Sequence, residues 1–179
     1  MSLKDKYEKE IKNQLMAEFK IKNVHALPQI TKIVINAGAS DSLSDKGILE
    51  KIKDQIATIC GQFPRVTLAK KSISTFKLRA KDPIGVMVTL RAKKAWDFLE
   101  KFVSIVTPRM RDFRGLPITK FDKFGNYNYG ITEQIIFPEI DYSKIDKIRG
   151  LVVTVVIKNS NPEKSKRLLE LIGFKFKKS

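Results

Sequence analysis

The sequence has very few of the residues that build covalent cross-links and metal centres. Among its 179 residues are one cysteine, Cys60, and one histidine, His25. A single cysteine cannot form an intramolecular disulfide, and such a chain is expected in a reducing compartment. No spacing of Cys and His residues matches a zinc site. Disulfide-stapled scaffolds and zinc-binding modules are therefore excluded.

Long apolar stretches are also missing. No run of apolar residues approaches the length that crosses a bilayer. The first ten residues, MSLKDKYEKE, are charged and lack the apolar core of a secretory signal. We therefore expect a soluble, cytoplasmic protein with no membrane partner.

Acidic residues are scarce relative to basic ones. The chain has 35 lysines and arginines against 19 aspartates and glutamates, for a formal net charge of +16. This excess is larger than solubility requires and favours polyanionic partners, nucleic acid first and an anionic membrane surface second. Membrane binding would need a basic amphipathic helix with a large apolar face, and none stands out. The charge therefore predicts a nucleic-acid-binding protein.

The hydrophobic pattern predicts a single domain over residues 1–179. A hydrophobic fraction of 42% is enough for a chain of this length to bury one core. Apolar residues recur every four positions from Leu3 to Phe19, which indicates an amphipathic helix ending near Asn23. Short alternating runs predict strands at 30–37, 65–69, 85–91, 126–131 and 151–158.

Three further apolar stripes predict the remaining helices. One is capped by Ser44 or Asp45 and closed by Gly61, one runs from about 93 to 106 and is limited by Pro108, and one runs from Asn161 to Gly173. The order α β α β β α β β α favours an α+β fold. We expect an antiparallel sheet with helices packed on one face and an open polar face.

Candidates for catalysis are weak. Cys60 and His25 could form a nucleophile pair only if the fold brings them together, and a buried thiol with a turn histidine is the simpler interpretation. Glu139, Asp141 and Asp146 could bind a divalent ion or transfer protons, but their spacing matches no calcium loop and solvated acids are favoured. Phosphate-binding glycine motifs are absent. We predict no enzyme and no cofactor.

Binding is better supported by the strands and by the segment between two of them. One side of the strands carries Asn, Thr, Lys and Arg, groups that suit phosphate, sugar and base-edge contacts, although an ordinary wet sheet face would look the same. The sheet lacks the paired aromatic residues of single-strand readers, so structured RNA is favoured.

Residues 70–85 hold five cations and one anion and are predicted to form a long basic loop with no fold of its own. Phe76 and Leu78 make this loop a functional candidate because they are costly to leave in water.

Three arginines, Arg109, Arg111 and Arg114, follow the third predicted helix. Cations at that position complement the helix dipole. Three in six residues exceed what capping requires, which suggests a second contact surface.

Four long blocks carry a resemblance to a known family. They read GQFPRVTLAKKSISTFKLR, PIGVMVTLR, PRMRDFRGL and GNYNYGITEQIIFPEIDYSKIDKIRG. In this order they resemble the bacterial large-subunit ribosomal protein family that binds 5S rRNA, the fifth in the large-subunit series. The resemblance runs from the first helix to Gly173. It implies a structural role in the central protuberance, with 5S rRNA, P-site tRNA, other large-subunit rRNA and proteins, and a small-subunit head protein as partners.

The resemblance also implies three groups of contact residues. The rRNA contacts would be Asn36, Arg65, Thr67, Lys70, Lys71, Thr89 and Arg91. The tRNA contacts would lie in the 72–82 loop, at Ser72, Phe76, Lys77 and Arg79. The intersubunit contacts would be Arg109, Arg111, Arg114, Phe137, Glu139 and Asp141.

This sequence departs from the family pattern at three points. Phe63 stands in a GQFP block where the family has a lysine, and Phe124 stands in KFGNY where an arginine is common. Lys81 and Asp82 precede Pro83 at the end of the loop. Each departure alters local charge.

Two rival functions, a free-standing RNA chaperone and an RNA-modifying enzyme, would share the basic charge, but the second would need a catalytic cluster.

Overall fold

The structure is a computed structural model that describes residues 2–39, 41, 47–111, 113–141 and 145–177. In these residues four helices and five strands follow one another in the predicted order. The helices are α1 (Leu3–Lys6, Tyr7–Ile11 and Lys12–Phe19 in succession), α2 (Gly47–Cys60), α3 (Ala92–Lys101, Phe102–Val106 and Thr107–Arg109 in succession) and α4 (Pro162–Ile172). The strands are β1 (Gln29–Gly38), β2 (Arg65–Leu68), β3 (Pro83–Leu90), β4 (Tyr127–Ile131) and β5 (Leu151–Lys158). The predicted caps Ser44 and Asp45 lie outside the described residues.

The five strands form one antiparallel sheet in the order β2-β3-β1-β5-β4. Successive side chains on a strand point to opposite faces, and burial follows this period. The apolar face is buried and contains Ile33, Ile35, Ala37, Val86, Val88, Leu90, Leu151, Val153, Val155 and Ile157. The α+β prediction is therefore confirmed, as is the alternation in β1, β3 and β5.

Helix α1 accommodates its four-residue stripe through a local change of winding. In a regular α-helix, positions four apart are offset by about 40°, so a strict four-residue stripe drifts around the axis. The π-helical turn Tyr7–Ile11 is wider than an α-helical turn, and it keeps the side chains of both Tyr7 and Ile11 buried. The helix ends at Phe19, earlier than the predicted end near Asn23, because Lys20 adopts a left-handed conformation with φ of +51°.

Helix α3 continues past the residue that was expected to limit it. Its π-helical turn Phe102–Val106 precedes a last turn that includes Pro108. The carbonyl of Phe102 accepts hydrogen bonds from the backbone N–H and, at 2.8 Å, from the hydroxyl of Thr107. The expected stop at Pro108 was wrong because the wider turn changes the hydrogen-bond spacing that proline would otherwise disrupt.

Strands β2 and β3 pair with Arg65 opposite Met87 and Thr67 opposite Gly85. The register shifts between Thr67 and Leu68, and Leu68 is 54% exposed. Simple alternation along β2 would put Leu68 on the side of the half-buried Val66, but Leu68 is exposed instead. A bulge of this kind reorients the residues that follow it, and alternation along one strand does not reveal it.

The chain divides into two compact units. Unit 1 comprises 1–33, 91–129 and 154–179, and unit 2 comprises 34–90 and 130–153. Three boundaries between them fall inside β1, β4 and β5, and the fourth lies at the end of β3. The expectation of one domain over 1–179 stays a prediction. Of the helices that the structure describes, none is long and apolar enough to span a membrane.

Candidate nucleic-acid interface

The candidate interface lies on β1, β2 and β3 within unit 2. We call it the polar face, and it consists of Asn36, Arg65, Thr67 and Thr89. Asn36 and Arg65 are exposed, and the two threonines are half-buried. Each alternates with a neighbour whose side chain points to the opposite side of its strand. An amide, two hydroxyls and a guanidinium are thus presented together by a rigid sheet.

Helix α2 explains why the polar face remains open. It packs against β2 and β3 and buries Leu49, Ile52, Ile56 and Ile59. These side chains recur at helical spacing and meet the apolar side of the strands. The helix ends at Cys60 and is followed by Gly61, whose φ of +61° suits glycine and whose N–H donates to the carbonyl of Ala57 at 2.8 Å. The helix thus covers one side of these strands, and the polar face is on the other.

Gly85 allows a close approach of backbone at the centre of this surface. A Cβ atom at this position would lie 2.7 Å from the carbonyl oxygen of Ala37 and 3.1 Å from Oγ1 of Thr67. Both distances are shorter than ordinary van der Waals contact. The position therefore requires glycine for space.

Sequence reasoning missed one residue that organises the edge of the polar face. The side-chain amide of Gln62 donates to the carbonyl of Thr89 at 3.1 Å and ties the turn after α2 to the end of β3. Phe63, the next residue, is 78% exposed, whereas Pro64 is buried. A sequence motif could not reveal the Gln62 contact because the two residues are 27 positions apart.

The segment between β2 and β3 is an ordered hairpin, which we call the basic hairpin (70–82). The N–H of Ala69 donates to the carbonyl of Asp82 at 2.8 Å and closes its base. Farther out, Ile73 and Leu78 exchange two backbone hydrogen bonds of 2.8 and 3.1 Å. The tip is a 3-10 turn, Ser74–Phe76, followed by Lys77 with φ of +51°. The prediction of a loop with no fold of its own was wrong.

Side chains reinforce the basic hairpin from within. The carboxylate of Asp82 accepts from the N–H of Arg79 at 2.7 Å, and the hydroxyl of Ser72 accepts from the N–H of Ala80 at 2.9 Å. The predicted tRNA residues Ser72, Phe76, Lys77 and Arg79 are all exposed, as are Lys70 and Lys71 at the base. The hairpin thus presents a dense set of cations and one exposed aromatic ring, Phe76, on an ordered frame.

Arg91 and the later arginines belong to unit 1. Arg91 is exposed and immediately precedes α3. Arg109, Arg111 and Arg114 are also exposed, at and beyond the end of the same helix. The structure therefore presents these four guanidinium groups to solvent.

Of the other predicted intersubunit residues, one is internal. Phe137 has no exposed surface, whereas Glu139 and Asp141 are exposed and line a groove together with Gln55, Thr58 and Ile140. The segment is held by Gln134, which donates to the carbonyl of Lys147 at 2.9 Å and accepts from the N–H of Arg149. The side chain of Phe137 therefore has a packing role in this structure.

Comparison with known proteins adds the family. Residues 23–79 match the family model described as ribosomal protein L5, and residues 83–176 match the model that describes the C-terminus of the same ribosomal family. The chain belongs to the ribosomal protein L5 family. It is 48% identical over 175 residues to the large ribosomal subunit protein uL5 of Chloroflexus aurantiacus, which covers 98% of this chain and 97% of that protein.

Other members of the ribosomal protein L5 family give the same result. The protein of that name from Thermus thermophilus is 48% identical over 178 residues, covering 99% of this chain and 98% of its own. The one from Thermotoga maritima is 46% identical over 176 residues, covering 98% and 96%. The family consists of structural, non-enzymatic proteins of the large ribosomal subunit, which in bacteria is cytoplasmic. The predictions of a ribosomal protein and of no enzyme are confirmed.

Proposed function

We propose that this protein binds 5S rRNA in the central protuberance of the large subunit, contacts P-site tRNA through the basic hairpin and bridges to a small-subunit head protein. The observation that carries the first part is the polar face, whose side chains are exposed or half-buried while helix α2 packs on the opposite side of the same strands. The net charge of +16 supports a polyanionic partner.

The polar face offers the chemistry that a folded RNA requires. Guanidinium and amide groups donate to phosphate, sugar and base edges, and hydroxyls both donate and accept. Lys70 and Lys71 extend the positive surface at its margin, and Arg91 is a further proposed rRNA contact. Because the sheet fixes the positions of these groups, they set the register of the protein on the RNA, while the cations supply most of the affinity.

The test is a filter-binding titration with 5S rRNA at several salt concentrations. Arg65→Ala is expected to weaken binding and to make the plot of log affinity against log salt less steep by about 0.7 to 0.9, the effect of one lost phosphate contact. Arg91→Ala is expected to act in the same direction. Lys51→Ala removes an exposed cation from α2 and is the matched control. Arg65→Ala with wild-type affinity and slope would contradict binding through the polar face.

The basic hairpin is proposed to meet the tRNA. It holds five cations, and its hydrogen-bonded frame extends them beyond the strands as an ordered unit. A rigid arm loses less conformational entropy on contact than a floppy loop of the same charge. Phe76, which is 69% exposed, adds an apolar surface at the tip.

The hairpin can be shortened without opening its base, because the Ala69–Asp82 hydrogen bond lies below the tip. Replacing residues 72–80 with Asn-Gly should preserve 5S rRNA binding, because Lys70 and Lys71 remain, and should reduce crosslinking to P-site tRNA. A folded variant that loses 5S rRNA binding, or one that crosslinks to tRNA as the wild type does, would refute this division of roles.

The proposed bridge to a small-subunit head protein uses two separate sets of exposed charges. Arg109, Arg111 and Arg114 form one set, and Glu139 and Asp141 form the other. Phe137 is left out because its side chain is buried. Arg111→Glu and Glu139→Lys should each weaken subunit association, measured by light scattering, while 5S rRNA binding is unchanged. Association at wild-type strength in both variants would refute the bridge.

A further inference from the structure

Phe63 is the most exposed large apolar side chain among the described residues, at 78%. Its two neighbours are both held in place. Gln62 is hydrogen-bonded to the end of β3, and Pro64 is buried. The backbone that carries the ring is therefore anchored while the ring itself lies in water.

The strand register places this ring beside the polar face. Arg65 pairs with Met87, and continuing this antiparallel register by two residues brings Phe63 opposite Thr89. The Gln62–Thr89 hydrogen bond agrees with that placement. Alternation puts Phe63 on the same side as Arg65, since Pro64 between them is buried. The ring thus extends the polar face at the end where β2 begins.

The surroundings decide what such a ring would contact. Arg65 next to it, and Lys70 and Lys71 along the same surface, favour an anionic partner. In single-stranded nucleic acids the bases present flat apolar surfaces close to the phosphates, which suits a ring and cations side by side. Phe63 is 78% exposed, so most of its ring surface is accessible to a base.

We propose that Phe63 stacks on an unpaired base of the RNA bound at the polar face. The interface would then combine phosphate contacts with one stacking contact, and it would require a bulged, looped or terminal nucleotide next to the recognised duplex. Bases inside a duplex are already stacked on their neighbours and cannot offer a free face. This inference rests on the proposed rRNA binding and specifies the RNA feature that is recognised.

The chain offers a matched control for this contact. Phe124 is 76% exposed and sits in unit 1 on a turn held by Asp122, whose carboxylate accepts from the N–H groups of Phe124 and Asn126 at 2.9 and 2.8 Å. Removing either ring leaves the protein core unchanged. A difference between Phe63→Ala and Phe124→Ala therefore reports on position rather than on loss of a phenylalanine.

The experiment is the 5S rRNA filter-binding titration across salt concentrations, with folding checked by circular dichroism. Phe63→Ala should weaken binding by about 5- to 150-fold with no change in salt slope, because the contact carries no charge. Phe63→Trp should keep wild-type affinity, and Phe124→Ala should have no effect. In Phe63→Trp the added indole fluorescence should be quenched on RNA binding, whereas the buried Trp96 is a constant background.

The outcomes separate this inference from the proposed function. If Arg65→Ala weakens binding and Phe63→Ala does not, stacking is refuted and rRNA binding by the polar face stands. If neither variant weakens binding, the proposed function itself fails. If Phe63→Ala reduces binding to vesicles of phosphatidylcholine and phosphatidylglycerol but leaves RNA affinity unchanged, the ring is a membrane contact and the inference is overturned.

Discussion

Gly85→Ala is a direct test of the geometry that supports the polar face. The added Cβ would lie 2.7 Å from the carbonyl oxygen of Ala37, where ordinary contact begins at 3.4 Å. The strands would therefore have to separate by about 0.7 Å, the difference between these distances. Overpacking of this kind costs about 1–3 kcal/mol, and the smaller entropy of alanine in the unfolded chain offsets about 0.4–1 kcal/mol.

We therefore expect Gly85→Ala to lower the free energy of unfolding by about 1–2 kcal/mol. Urea denaturation followed by circular dichroism measures this change directly. The melting temperature should fall by about 2–8 °C, since each kcal/mol corresponds to about 2–4 °C for a chain of this size. Affinity for 5S rRNA should fall as well, because Thr67 is displaced on the polar face.

Gly38→Ala is the matched control, because a Cβ there has no atom within 4 Å. This variant should be as stable as the wild type or slightly more so. Equal stability of Gly85→Ala and Gly38→Ala would refute the close approach of the two strands. A loss of stability in Gly85→Ala with full RNA affinity would refute the link between that approach and the polar face.

Three further variants test local features. Burial, and to a lesser extent the charge of Glu8, raises the pKa of Tyr7 to about 12. The neutral Tyr7 side chain therefore contributes its full stability below pH 10, and this contribution is lost as the pH rises towards 12. In Tyr7→Phe the free energy of unfolding should depend less on pH over that range. Lys20→Gly should raise the free energy of unfolding by about 0.5–1 kcal/mol because φ is +51°, whereas Lys9→Gly inside α1 should lower it by about 1 kcal/mol. Gly125→Ala should lower it by more than about 2 kcal/mol in urea denaturation, since its φ is +81° and a Cβ would meet backbone at 2.8 Å.

Several elements of the fold could be predicted because their causes are local. Asn161 caps α4 by accepting the N–H of Lys164 at 2.8 Å, and Pro162 follows it as a first-turn proline. Gly173 ends that helix with φ of +120°. Each of these features depends on residues within one or two turns of one another. The element order and the buried sides of β1 and β3 were predictable for the same reason.

Other features could not be predicted because they depend on residues distant in the chain. Leu68 is exposed because the pairing of β2 with β3 contains a shift that neither strand shows alone. Phe137 is buried although it lies in a segment with no clear period and precedes a proline. The N–H of Ala69 bonds to the carbonyl of Asp82 at the other end of the basic hairpin and closes a segment whose sequence has no clear period. In each case, packing or pairing across the chain overrode the local pattern.

By itself, the sequence determined the charge, the kinds of element and their order, and the family, because composition, periodicity and long matching blocks are properties of the linear chain. It also indicated which side of the strands is polar, because side chains alternate with a period of two. The tertiary structure decided how these parts become a surface. It set the register that pairs Arg65 with Met87, the close approach that requires Gly85, and the hydrogen bonds that order the basic hairpin. These depend on distances between segments, which only the folded chain defines.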